Sequence, residues 1–186
     1  MANFAGGIRQ MVKPMTENEE ENNRKLLPDN KKYLLWGLLS LTQRAIIKTR
    51  DRELMKCGIS TEQSSILNIT MALDHKPTST ELSKYLIRER HSVSETVNKM
   101  IKLGLLKRIR DSKRKNIFRL SLTTKGLRAY QCSLDRQSIY RIMSALSEEE
   151  GLQLESSLNE LLDRALIRLG INDRIPLPSS MAENNL

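Results

Sequence analysis

Two capping boxes in close succession, then a glycine break and a dense basic run, constrain this chain more than any other feature. Ser60 with Gln63 and Thr78 with Glu81 each set a hydroxyl residue three positions before an amide or an acid. The hydroxyl can accept from the backbone N–H of the third helical residue, whose own side chain reaches back to the cap, so each pair marks a helix start. The first opens "ISTEQSSILNITMAL"; the second opens a short helix in "KPTSTELSKYL", with Leu82, Leu86 and Ile87 available to a core. In "HSVSETVNKMIKLGLL", Val93, Val97, Met100 and Ile101, with Thr96 as a further member, form an inward stripe at helical spacing, and Gly104 supplies a C-terminal break. Ser92, Ser94, Glu95, Asn98, Lys99 and Lys102 are left on the outer face. Short polar and cationic groups of this kind hydrogen-bond base edges and phosphates. Two helices joined by a tight turn, the second polar outside, describe a helix-turn-helix.

The basic run follows directly. Lys107, Arg108, Arg110, Lys113, Arg114, Lys115 and Arg119 crowd into Gly104–Thr123. "LLKRIR" and "NIFRLSLT" are β-compatible, and "DSKRK" between them is a polar turn. A hairpin after a recognition helix is a wing, with Leu106, Ile109, Ile117, Leu120 and Leu122 expected to pack on the helical head. The charge count supports this reading. The chain carries a formal net charge of +9, and residues 76–119 hold 13 Lys and Arg against 4 Asp and Glu. Elsewhere the two signs cancel at 18 each. Positive charge concentrated in one segment is the footprint of a phosphate-binding surface. An anionic membrane would attract it too, but would call for large apolar residues beside the charges on one helix.

The remainder reads as scaffold. At 186 residues, 39% apolar and 28% charged, the expectation is about one domain of roughly 150 residues plus appendages. No apolar run approaches the roughly 20 residues that span a bilayer, and "MANFAGGIRQMVKPM" does not read as a signal peptide. Cys57 and Cys132 have no metal-ligand spacing and read as packed thiols, pointing to the cytosol. Residues 1–30 are a polar, acidic extension expected to be flexible. From Lys31 to about Lys56, Leu35, Leu38, Leu39, Thr42, Ile46 and Ile47 give a helical period that Gly58 stops. After Thr123 one helix is expected to run to Met143, burying Leu127, Tyr130, Leu134 and Ile142. In "LSEEEGLQLESSLNELLDRALIRLG", Ser147 and Glu150 form a third capping box, and Leu154, Leu158, Leu161, Leu162 and Leu169 form the stripe. Residues 171–186 read as a loose tail.

These pieces, in this order, resemble the MarR family of winged-helix transcriptional regulators over roughly residues 31–170. Met100, Gly104, Leu105, Leu106 and Arg108 match the family's exit from the recognition helix. Leu122, Thr123 and Gly126 match its wing-closing motif, and Ile59, Ser60 and Gln63 approximate the start of its second helix. The family's wing often carries an acid where this chain has Arg114, so Asp111 is expected to substitute by pairing with Arg114 or Lys113. The resemblance implies a mainly α fold with a small β-hairpin wing. Residues 58–123 would form the winged helix-turn-helix head, and 31–57 with 124–170 a helical dimerisation domain.

Function follows as an expectation: a homodimeric repressor on a pseudo-palindromic operator in double-stranded DNA, cytoplasmic and nucleoid-associated, with no membrane partner and no cofactor. Arg90, His91, Ser92, Ser94, Glu95, Asn98, Lys99 and Lys102 are the recognition-helix candidates; Arg110, Lys113, Arg114 and Lys115 are the wing candidates. Leu154, Leu158, Leu161 and Leu162 are the dimer candidates. Tyr33 and Trp36 stand near where the family's small-molecule effector cleft forms, with packing as the competing role. No metal cluster, phosphate loop or nucleophile elbow suggests an enzyme. The alternatives are a DNA-coating protein and a dimeric adaptor whose basic head binds an acidic protein.

Overall fold

The computed structural model describes residues 30–73, 76–114 and 116–171. The N-terminal extension and the C-terminal tail from residue 172 lie outside them. The order is α1 (Asn30–Leu54), a 3-10 turn (Met55–Cys57), α2 (Thr61–Ala72), α3 (Ser79–Tyr85), α4 (Arg90–Lys102), β1 (Leu106–Arg110), β2 (Phe118–Leu122), α5 (Thr124–Ser133), α6 (Gln137–Met143) and α7 (Glu148–Arg168). Contacts divide the chain into two units, one ending at Arg44 and one beginning at Ala45.

In the first unit Tyr33, Leu34, Leu35, Trp36, Leu38, Leu39 and Leu41 are all exposed. Tyr33 and Trp36 touch each other, ring centroids 5.2 Å apart. The second unit holds the core. Leu54, Ile59, Ile66, Leu67, Leu82, Val93, Val97, Met100, Leu106 and Leu120 are buried together, which fixes α2, α3, α4 and the hairpin around one apolar centre. All three capping boxes form with both reciprocal bonds. Glu150 in the third is held below its ordinary carboxylate range by the Ser147 N–H and hydroxyl.

Four helix ends close alike. At the ends of the 3-10 turn, α3, α4 and α7, one residue turns left-handed and two backbone bonds close the end. Gly58, Gly104 and Gly170 occupy three of those places, where a missing Cβ makes positive φ cheap. The fourth is Ile87, at φ +50, whose N–H donates to Lys84 while that of Arg88 donates to Ser83. Ile87 is 43% exposed rather than in the core, contrary to the expectation from its spacing, because the left-handed turn swings it off the helix face. A β-branched residue there stores about 1–3 kcal/mol. Ile87→Asn is therefore expected to stabilise the head by about 1 kcal/mol, seen as a higher urea midpoint with unchanged slope; a lower midpoint would contradict the strain.

Two further expectations are corrected. The segment after Thr123 is two helices, α5 and α6, broken at 134–136. Arg50, itself buried, donates to the carbonyls of Ser133 and Asp135 at that break and pairs with Glu53. Glu53 in turn accepts from the Ser138 N–H and hydroxyl at the start of α6. Carbonyls that an unbroken helix would use internally go to a guanidinium instead. Burial pushes the Glu53 carboxyl up, but Ser138 and Arg50 outweigh it and hold it at about 2. Leu127 and Leu134 are exposed, contrary to the expectation that they would be buried. Second, Cys57 and Cys132 are not thiols: they form a disulfide, their Cα atoms 5.8 Å apart.

Candidate nucleic-acid interface

The recognition helix α4 is anchored from below and braced from the side. Val93, Val97 and Met100 are fully buried, so the row of His91, Glu95, Asn98 and Lys102, at helical spacing on the opposite side, is exposed with Arg90. Glu62, in the first turn of α2, receives Arg88 in an ion pair and the Thr96 hydroxyl at 3.2 Å. Arg88 also donates to the Ser92 hydroxyl at 3.1 Å. These bonds tie α4 and the turn that leads into it to α2. His91 Nε2 lies 3.3 Å from a Glu95 oxygen on the exposed surface. Ser92 and Ser94 are half-buried; Lys99 is exposed at the flank of the row, where it also lines a cavity with Asp51, Met55 and Ile59.

The wing is an antiparallel pair in which Leu106 faces Leu122, Arg108 faces Leu120 and Arg110 faces Phe118. Side chains alternate along a strand, so Leu106, Arg108 and Arg110 share one face and Ile109 takes the other. Leu106 and Leu120 are buried; Ile109 and Ile117 are only half-buried, which corrects the expectation that all would pack on the head. Arg108, one step beyond Leu106 on that face, reaches back and donates to Asn98 Oδ1 at 2.7 Å. The bond ties wing to recognition helix and leaves the Asn98 amide N–H groups to face outward. Arg108 stands in the basic run and in the helix-exit motif but not among the site candidates of the sequence.

The tip is built on Asp111. Its carboxylate accepts from the backbone N–H groups of Lys113 and Arg114, each at 2.8 Å, and pairs with the Arg119 guanidinium. The expected side-chain pairs with Lys113 or Arg114 are thus replaced by a turn-closing acceptor, the usual work of an Asp at a tight turn. The side chains of Lys113 and Arg114 are exposed; Lys115 lies outside the described residues. Arg119, and then the Lys113 and Arg114 N–H groups, lower the Asp111 pKa from 3.8 to about 2. A depressed folded-state pKa contributes stability that is present above pH 4 and is lost as pH falls toward 2. Amide exchange at the tip should accordingly be flat from pH 7 to about 5, corrected for intrinsic rates, and accelerate below about 4; Asp111→Asn should flatten that acceleration.

Behind the wing, Thr123 caps α5, accepting from the Gly126 N–H at 3.0 Å while donating to the Gly104 carbonyl. The caps, the brace and the wing together match the general model of a winged helix DNA-binding domain over residues 60–126. Among solved structures, the chain is similar to the organohalide-sensing transcriptional regulator RdhR-CbdbA1625 in its 2,4-dichlorophenol-bound form. The two are 26% identical over 84% of this chain and 89% of that one, with a TM-score of 0.69. It is also similar to S. aureus MepR in complex with DNA (23% identity, 74% and 99% covered, TM-score 0.64). A third likeness is to a mutant of E. coli MarR complexed with operator DNA (20%, 72% and 96%, TM-score 0.66). The chain has the winged-helix fold of the MarR-like regulators that it resembles. No curated protein matches it in sequence.

The domain match and the likeness to RdhR-CbdbA1625 support a DNA-binding transcriptional regulator. Among the described residues, cavities of about 360, 390 and 490 Å³ indent the second unit, lined by residues between Asp51 and Cys132; Tyr33 and Trp36 line none of these. No helix among the described residues is long and apolar enough to cross a membrane.

Proposed function

We propose that this regulator is a homodimeric, sequence-specific repressor that occupies a pseudo-palindromic operator, with residues 58–123 as the DNA-binding head and 31–57 and 124–170 as the dimerisation helices. One observation carries the reading. The whole net positive charge of the chain lies in residues 76–119, and those residues fold into a braced recognition helix and an exposed wing rather than a scattered surface. His91, Glu95, Asn98 and Lys102, flanked by Arg90, present the reading face. Ser92 and Ser94 sit at its edge, and Lys99 stands at the cavity side where a phosphate can pass. Arg110, Lys113, Arg114 and Lys115 serve the backbone of the adjacent groove. The DNA complexes of MepR and MarR support double-stranded DNA as the partner, and a protein working on it is cytoplasmic and nucleoid-associated.

The dimer rests on exposed apolar rows. Leu154, Leu158 and Leu161 on α7 are 42%, 39% and 51% exposed, with Leu162 half-buried beside them. A helix this apolar on one side is stable in water only when that side is covered. The phenol complex of RdhR-CbdbA1625 supports a small-molecule effector, for which Tyr33 and Trp36 form an exposed aromatic pair. No catalytic step belongs to this reading.

The test separates reading from holding. Asn98→Ala is expected to cost about 1–3 kcal/mol per half-site and relax preference at one base position. Lys113→Ala with Arg114→Ala should weaken all sequences alike and lower the salt slope by roughly one unit per lost phosphate contact. Binding assays across operator variants and salt check both; an unchanged preference in Asn98→Ala would move the reading face elsewhere.

A further inference from the structure

The Cys57–Cys132 disulfide sits at the edge of the core, against which Cys57 packs. Both cysteines are half-buried and line a cavity of about 360 Å³, whose other walls are Lys56, Gly58, Leu103, Leu105, Lys125, Arg128 and Ala129. Cations rim it and apolar groups floor it. Lys56 is paired with Asp135, and Lys125 donates to the Leu103 carbonyl at 2.8 Å. Arg128 makes no hydrogen bond or ion pair among the described residues. Lys125 also stands in the first turn of α5, where the helix dipole already favours an anion. No acid lines the cavity. A disulfide placed to staple a fold needs neither the opening nor the cations.

We propose that this cavity is a thiol–disulfide exchange site for an anionic low-molecular-weight thiol, and that the state of the disulfide sets the affinity of the head for DNA. The cations attract the anionic thiol and stabilise each thiolate that forms beside them. The thiolate attacks one cysteine sulfur; an S–S bond forms to it as the Cys57–Cys132 bond breaks, and the other cysteine leaves as thiolate. A second thiolate of the same kind attacks the mixed disulfide, releasing the small-molecule disulfide and the second cysteine thiolate. Two thiols are oxidised and one protein disulfide is reduced, so the electrons balance. The reverse sequence, begun by the oxidised small molecule, closes the bond again.

The position of the site links it to DNA binding. Cys57 ends the 3-10 turn between α1 and α2, and Cys132 lies in the last turns of α5. Leu103 and Leu105, on the cavity floor, form the exit of the recognition helix. Gly126 of α5 lies so close to the Leu105 carbonyl that a Cβ there would fall 2.0 Å from its oxygen, so α5 and that exit move as one piece. The bonds from Arg50 to Ser133 and Asp135 form a second tether nearby. Opening the disulfide therefore frees the 55–58 turn to shift against α5 without letting the two elements part. The exchange chemistry stands by itself; its effect on DNA rests on the regulator reading above. A protein that works on DNA also sits among reducing thiols, where a disulfide is typically transient or sensing.

The experiment uses the full-length oxidised chain and follows disulfide opening by alkylation and mass spectrometry. The thiols are glutathione (anionic), 2-mercaptoethanol (neutral) and cysteamine (cationic), each normalised to its rate with a small neutral disulfide. Glutathione is expected to lead cysteamine by roughly tenfold or more at low salt. High salt, or Lys125→Gln with Arg128→Gln, should erase the lead. Equal normalised rates, or a bond that glutathione opens only after denaturation, would overturn the site. Operator affinity is then compared between oxidised, reduced and Cys57→Ser/Cys132→Ser protein. A difference of several-fold between oxidised and the other two is expected; equal affinities overturn the switch. Charge-selective opening with no DNA binding in any state would uphold the exchange site and overturn the regulator reading instead.

Discussion

Gly126→Ala is expected to destabilise the winged head by about 3 kcal/mol or more. Gly126 has an ordinary helical φ, so the cause is space rather than backbone conformation. A Cβ built there meets the Leu105 carbonyl oxygen at 2.0 Å and its carbon at 3.0 Å. Both are backbone atoms of the strand-entry turn, and Leu105 is itself buried. The same carbonyl accepts from the Thr123 N–H at 3.1 Å, so it cannot retreat without breaking the α5 cap. Relief would require separating α5 from the recognition helix's exit. For a chain of this size the melting temperature should fall by about 6–12 °C. Gly151→Ala is the matched control: Gly151 lies in α7 with nothing within 4 Å of the added Cβ, so helix propensity alone should raise stability by about 0.5–1 kcal/mol. Calorimetry on the pair checks both signs. A neutral Gly126→Ala would mean that α5 does not rest on Leu105.

If the proposed dimer forms through α7, Leu158→Asp is expected to abolish it while leaving the head folded. In the isolated chain the Leu158 side chain is 39% exposed and contributes little to the core. A charge placed on the same row in an apolar interface loses hydration without a partner and costs several kcal/mol per subunit. Sedimentation should then give the monomer mass, with thermal unfolding of the head little changed. Operator affinity should fall by on the order of a hundredfold or more, because two linked heads gain an effective concentration that one lacks. A mass equal to that of the parent chain would place the interface elsewhere.

The sequence was most legible where the physics is local. Capping boxes depend on residues three apart, and Ser60–Gln63, Thr78–Glu81 and Ser147–Glu150 all close as read. The glycine stops at Gly58 and Gly104 are local too, and both take positive φ. Parity within the hairpin was local but misjudged: Leu106 and Ile109 cannot share a face at a period of two. What escaped depends on residues distant in sequence. The bonds from Arg50 to Ser133 and Asp135 break the last long segment into α5 and α6, and no pattern near Leu134 announces them. The Cys57–Cys132 bond bridges 75 residues, and neither cysteine's neighbours signal the other. Asn98 with Arg108, and Glu62 with Arg88, likewise join elements whose approach only the fold decides. The proposed reading face was legible in residue type yet uneven in exposure, because helix packing half covers Ser92 and Ser94 while Lys99 is exposed at the flank.

The central claim is that this head selects a DNA sequence, and selection of bound fragments from the source genome by the purified full-length chain tests it most directly. Affinities of recovered and random fragments would be followed across salt. The account predicts a recovered pseudo-palindrome bound far more tightly than random DNA at physiological salt, with half-sites about one helical turn (~34 Å) apart. Equal binding to all fragments, lost steeply as salt rises, would contradict it: the basic head would then be coating DNA rather than reading it.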